Sequence, residues 1–315
     1  MGRVSALLLL SLLPASLFVG CTDTDSTGSI ETSAEAASGG STGTAQGTTS
    51  GAGGVPESTV GASHLGGDVA GAAEASSGGP FVARTESRGG FGYDADTVLA
   101  VRYGVHGNYE RAVIDLGTGE VPAGTVPKWT LVSPKGDGLL RVTLPSVSAT
   151  CVSDGRFGSG LLGSFYVVRA PEGGMFVDFF AREAFLYRVL EIGDPARLVV
   201  DFKPTGASLE VPLPAEGGDT VLVEPRSKAR ISDPLMISGY SRNFEATNAI
   251  ILTDPDGKIL VHRTVVSNDW SSTWGYFETT LDLPQFAGKG TLKVGTQSAR
   301  DGSFEGVEIP VWARR

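Results

Sequence analysis

From Gly92 onward, short apolar runs recur along the chain, separated by Gly, Pro and Asp turns. Leu140, Val142 and Leu144 fall on one side of an extended chain, with Arg141 and Thr143 on the other. Leu198, Val200 and Phe202 repeat the alternation around Asp201. Phe277, Thr279, Leu281 and Leu283 share a face, as do Val307, Ile309 and Val311. The pattern predicts strands over 97–103, 109–116, 128–132, 139–144, 164–169, 174–180, 184–190 and 197–202. A second set is predicted over 220–224, 229–231, 235–241, 248–253, 258–265, 276–283, 291–296 and 306–313. The sequences Asp254-Pro255-Asp256-Gly257 and Asp301-Gly302 stand where hairpin turns belong. No stretch carries a capped apolar stripe of helical period, and 181–192 is the one place where a helix competes.

Pro and Gly concentrate between the two sets of strands, so 206–219 reads as a linker. The expected fold class is all-β, with two β-sandwich domains at 91–205 and 220–315. Residues 22–90 are dominated by Gly, Ser, Thr and Ala, with too little apolar surface to offset the entropy of ordering. They read as a disordered N-terminal tether with an r.m.s. span of ~45 Å for a Gly/Ser-like coil. Its many Ser and Thr could accept sugars.

The first residues differ again. Arg3 precedes an apolar run, and Gly20-Cys21 follows it, which describes a secretory signal over 1–21. The run is too short to span a bilayer and Pro14 interrupts it. Phe18-Val19-Gly20-Cys21 resembles the lipobox of bacterial lipoproteins, with Phe18 where that pattern has Leu. The resemblance implies acylation of Cys21, an extracytoplasmic protein anchored to the cell membrane, and Cys21 as the mature N-terminus. Two or more acyl chains suffice for stable anchoring. With Cys21 acylated, Cys151 is left without an intramolecular partner and reads as a small buried hydrophobe.

Two further resemblances follow from motifs. SDPLMISGYSRNFEA (232–246) and GTLKVGTQSARDGSFEGVEIPV (290–311) resemble the immunoglobulin-like domain of bacterial spore-germination proteins. Asp233 departs from that pattern by separating Ser232 from Pro234, and so does the stretch 268–274. VRYGVHGNYERAVIDLG (101–117) and FLYRVLEIGDPARLVVDF (185–202) are similar to the AMIN-like domain of bacterial envelope lipoproteins. Relatives of AMIN domains place proteins at peptidoglycan or in envelope assemblies. These resemblances imply binding or positioning, with the first sandwich AMIN-like and the second immunoglobulin-like.

The formal net charge is −10. Residues 22–90 hold Asp23, Asp25, Glu31, Glu35, Glu57, Asp68, Glu74 and Glu86 against Arg84 and Arg88. An acidic chain without a basic stripe is a poor nucleic-acid binder. The same sign argues against broad attraction to anionic lipid or wall polymers, local basic patches aside.

Catalysis needs convergent titratable groups. His64 lies in the tether, His106 at a predicted hairpin turn and His262 on a strand face with Lys258 and Leu260. They read as surface groups, and no HExxH, CxxC or GxSxG motif is present. A carboxylate pair drawn from distant strands stays open, and with it a hydrolase. No cofactor or metal is expected; Asp254 and Asp256 read as turn residues rather than calcium ligands.

The candidate binding residues are Trp270, Trp274 and Tyr276, three aromatics in a polar loop leading into a strand. They suit stacking on sugar rings or gripping a partner, and equally plugging the end of a sandwich. Trp312 lies opposite the Val307, Ile309 and Val311 face, either exposed or against the first domain. The expected function is a non-catalytic envelope lipoprotein that binds cell wall or protein. The expected partners are the membrane, through the lipid anchor, and peptidoglycan or envelope proteins, but not nucleic acid. The alternative is an assembly factor that holds envelope proteins together.

Overall fold

Alternating and continuous apolar runs fold into strands throughout the computed structural model, which describes residues 79–158, 160–298 and 300–313. The signal, Cys21, His64 and residues 22–78 of the expected tether lie outside the described residues, while its last residues are not disordered: Glu86–Gly89 pair as a strand with Trp129–Val132. The first half contributes β1 (Glu86–Gly89), β2 (Thr97–His106), β3 (Tyr109–Thr118), β4 (Val121–Pro122), β5 (Trp129–Val132) and β6 (Leu139–Leu144). It continues through β7 (Ala149–Thr150), β8 (Asp154–Arg156), β9 (Leu162–Arg169), β10 (Met175–Ala181), β11 (Phe185–Ile192) and β12 (Arg197–Pro204). The second half contributes β13 (Ala215–Gly217), β14 (Thr220–Glu224), β15 (Arg230–Ile231), β16 (Leu235–Ser241) and β17 (Thr247–Thr253). The last strands are β18 (Ile259–Val266), β19 (Trp274–Leu281), β20 (Gly288–Gln297) and β21 (Phe304–Ala313).

The protein is all-β, with a single short 3-10 turn at Phe244–Ala246 among the described residues. The helix that competes at 181–192 does not form. Those residues make β11, which pairs along its whole length with β12. Tyr187 alone among its side chains is buried, so a period of two serves this edge better than an apolar helical stripe.

Three sheets build the molecule. A ten-stranded sheet runs β1-β5-β6-β10-β9-β19-β16-β14-β13, with β8 also on β9. A six-stranded sheet has the order β11-β12-β3-β2-β7, with β4 on β3. A five-stranded sheet has the order β15-β21-β20-β17-β18. The first core lies beneath the six-stranded sheet and contains Ile114, Leu116, Leu140, Val142, Phe179, Leu198 and Phe202. The second contains Ile237, Ile250, Leu252, Phe277, Leu292 and Val311.

The large sheet joins the two halves through two parallel pairs, Trp274 with Val168 and Gly275 with Arg169. Its other face buries a third cluster, with Tyr166, Val168, Phe176 and Phe180 from the first half and Val221, Tyr240 and Trp274 from the second. β10 is therefore covered on both faces and every one of its residues is buried. Asp178 sits there fully buried, with Arg141 Nε and Nη2 donating to its two oxygens at 2.7 and 2.8 Å. Arg141 also stacks over Phe176 at 3.8 Å. The stretch 206–219 packs Leu213 on the third cluster and sends Glu216 to Arg156 and Ser164.

Cys151 departs from its expected burial. It is exposed and disulfide-bonded rather than a lone thiol inside the core. It follows the short edge strand β7, where little apolar packing is on offer.

Candidate binding site

The loop entering β19 is shaped by its polar residues. Asn268 Nδ2 donates to the carbonyls of Arg169 and Ala170, while its Oδ1 accepts from Tyr276 N–H at 2.8 Å. Asp269 Oδ1 accepts from the N–H groups of Trp270, Ser271 and Ser272 at 2.7, 3.1 and 3.1 Å. Its Oδ2 accepts from Arg169 Nε at 2.7 Å. Partial burial pushes this carboxyl up, but the Arg169 guanidinium and the loop N–H groups outweigh that and hold it below the ordinary value. Thr273 Oγ1 donates to the Val167 carbonyl at 2.5 Å.

Gly275 of β19 permits the close approach of the loop backbone. A Cβ there would meet the Asp269 carbonyl oxygen at 2.0 Å and its nitrogen at 2.4 Å. The loop is thus tied to β9 by side chains and to β19 by backbone and close packing.

The three predicted aromatics part company on this frame. Trp274 is only 5% exposed and lies in the third cluster, edge-on to Tyr166 and Tyr240 at 4.9 and 5.9 Å. Its Nε1 donates to Asp154 Oδ1 at 3.0 Å. It plugs the joint between halves and presents no ring to solvent. Tyr276 is half-buried against Phe176, and its hydroxyl donates to Glu278 Oε2 at 2.6 Å. Burial, then that bond, pushes its pKa up to about 12.

Trp270 stays outside, 38% exposed, with its ring edge-on to Phe244 at 5.2 Å. Phe244 is 71% exposed. It opens the 3-10 turn, in which Glu245 and Ala246 take positive φ values of 53° and 58°. Consecutive non-glycine residues in that region are costly and persist only where the surroundings impose them. Here Asn243 supplies the constraint, donating to Thr220 Oγ1 and Asn248 Oδ1 at 2.9 and 2.7 Å. Ser267 adds a bond to the Ala246 carbonyl at 3.1 Å.

Phe244 escaped the sequence reading as a site residue because it lies far from Trp270 along the chain. Its apolar ring between Asn243 and Glu245 was the available signal.

The other candidates are dispersed. His106 ends β2 at the hairpin turn and stacks on Tyr109, and His262 is exposed on β18. Trp312 is 37% exposed. Asp254 Oδ1 accepts from the N–H groups of Asp256 and Lys258, closing a turn. Among the described residues no group of three or more His, Cys, Asp or Glu is placed to hold a metal. A cleft beside β1 and β11 is lined by Arg84, Arg88, Trp129 and Glu191, but Trp129 there is buried and donates to Glu191 Oε1 at 2.8 Å.

The second half is thus an immunoglobulin-like β module carrying an exposed aromatic pair on two braced segments, the 244–246 turn and the 268–274 loop. Residues 221–303 match the family model described as the immunoglobulin-like domain of bacterial spore germination. Phe244 and Trp270 both fall within the matched stretch. No curated protein matches the chain.

Proposed function

We propose that the chain is a non-catalytic protein of the bacterial envelope that binds cell wall through the Phe244–Trp270 pair. One observation carries the binding reading. Two large rings are held outward, Trp270 by the Asp269 loop and Phe244 by the Asn243-braced 3-10 turn, whose polar groups are already satisfied, so little ordering cost remains on contact with a ligand. Aromatic faces of this kind suit the apolar faces of sugar rings. The first module is read as AMIN-like, and its two motifs lie together as β2–β3 and β11–β12 of one sheet.

Retention of the full chain on purified peptidoglycan tests the reading. A Phe244→Ala, Trp270→Ala variant is expected to lose at least about tenfold in retention, since buried aromatic anchors dominate interface energy. Unchanged retention by a folded variant removes the pair from the site. No retention by the wild type removes the wall as ligand.

The alternative fates of Cys21, acylation or oxidation, have their own test. One sulfur cannot carry a thioether to lipid and also share a disulfide, and the chain has two cysteines, one of them the disulfide-bonded Cys151. The mass of the membrane-extracted protein, with and without reductant, separates an acylated Cys21 from an oxidised one.

A protein-assembly role is the second reading, favoured by β18. This strand is the edge of the five-stranded sheet and exposes Ile259 and Val266. An unpaired strand edge accepts an added strand from a partner. Cross-linking from β18 to a protein in intact cells, with no affinity for glycan, would favour it.

A further inference from the structure

The outer face of the six-stranded sheet is basic, although the chain as a whole is acidic. Ala112, Ile114 and Leu116 of β3 face the first core, so Tyr109, Arg111, Val113 and Asp115 point outward. Register carries this face across the sheet. Arg111 lies opposite Gly104 of β2 and Asp201 of β12, and Asp201 lies opposite Arg188 of β11. Even steps along the strands add Arg102, Arg197 and Lys203 to the same side. Five cations thus meet two carboxylates, Asp115 and Asp201, on a chain of net charge −10.

The arginines are held in place. Asp201 is fully buried and accepts from Arg111 Nε and Nη2 at 2.6 and 3.0 Å and from Arg188 Nε at 2.7 Å. One carboxylate positions two guanidinium groups and neutralises one of them. Arg188 lies 4.6 Å over Phe81 and 5.0 Å over Tyr109, and Lys203 lies 5.6 Å over Phe81. At Gly104 the platform has no side chain, and a Cβ there would meet only the His106 ring.

We infer that this face binds a linear phosphodiester polymer, such as a polymer of glycerol phosphate. Planar guanidinium forks match phosphate oxygens, and those held by rings and a buried carboxylate lose little entropy on binding. The cations spread over four neighbouring strands, about 15 Å at ~4.8 Å per strand. That reach exceeds one phosphate and suits several in series. A thin polymer also lies along this face alone, and acidic faces further than a Debye length of about 8 Å are screened from it. The inference uses a different face from the aromatic pair and does not depend on wall binding.

Titration of the full chain with synthetic glycerol-phosphate polymer at about 50 mM salt tests it. Affinity is expected to fall steeply as salt rises, as counterion release requires. An Arg102→Gln, Arg197→Gln, Lys203→Gln variant leaves the two partners of Asp201 in place. It is expected to bind at least about tenfold more weakly, with the salt slope reduced by about 2. Arg102→Gln alone removes one cation and leaves Asp115, to which Arg102 Nε and Nη2 donate at 2.5 and 2.7 Å, without that partner, and is expected to give about a two- to threefold loss. Lys258→Gln, Lys289→Gln in the second module is expected to change nothing. Wild-type affinity in the folded triple variant overturns the site. Tighter binding of polyglutamate or of polythymidylate overturns the ligand class, in favour of a carboxylate polymer or a nucleic acid respectively.

Discussion

Trp274 of β19 stands edge-on to Tyr166 of β9, with ring centroids 4.9 Å apart and planes at 84°. The two rings belong to different halves of the chain and are the centre of the joint between them. Truncating Trp274 to Ala removes a buried ring and leaves a cavity, at a cost of about 3–5 kcal/mol. A double-mutant cycle with Tyr166→Ala is expected to return a coupling of about 0.5–1.5 kcal/mol. Urea unfolding measures both. Additive losses would mean that the halves do not communicate through this contact.

Gly275→Ala is expected to displace the Trp270 loop. The added methyl meets backbone atoms of Asp269 rather than a flexible side chain, so the backbone must shift. Overpacking of this kind costs about 1–3 kcal/mol. Wall retention should fall even though no ring has been removed. A variant with native stability and native retention would show that the loop needs no close approach there.

Acid should loosen the same loop. The Asp269 carboxyl titrates lower in the folded chain than its ordinary value of 3.8. Its contribution is therefore complete above that value and fades as pH falls through the lower folded one. Tryptophan fluorescence and wall retention are expected to change together below pH 3.8 in the wild type. Asp269→Asn, with nothing to titrate at this position, should lack that step. The same transition in both proteins assigns it elsewhere.

Tyr240 carries a buried hydroxyl with no hydrogen-bond partner. Burial, then the nearby Asp178 carboxylate, raises its pKa well above the ordinary range, so it stays neutral. An unpaired buried hydroxyl costs about 1–3 kcal/mol. Tyr240→Phe keeps the ring contacts with Tyr166 and Phe176 and removes that group. Thermal unfolding should shift upward or stay level. A marked loss of stability would mean that the hydroxyl has a partner, such as a bound water.

Much of the fold was legible one strand at a time. The alternation of Leu140, Val142 and Leu144 reports a buried face, and all three are fully buried. Strands 139–144, 220–224 and 235–241 have the boundaries read from the sequence, because turns and strand period are both local. The run Met175–Ala181 was readable as a strand but not as one covered on both faces. The aromatic cluster of the 269–276 loop was visible as a composition, and its division was not. Trp270 and Trp274 are close neighbours in sequence, yet one is exposed and the other buried.

By itself, then, the sequence determined an all-β chain, because side-chain alternation and turn chemistry act within a few residues. Tertiary structure alone decided what each strand lies beside. It united Phe244 with Trp270, and it gathered Arg102, Arg111, Arg188, Arg197 and Lys203 on one sheet face. Those encounters depend on register between segments far apart in the chain, and a period of two says which way a side chain points but not what it meets.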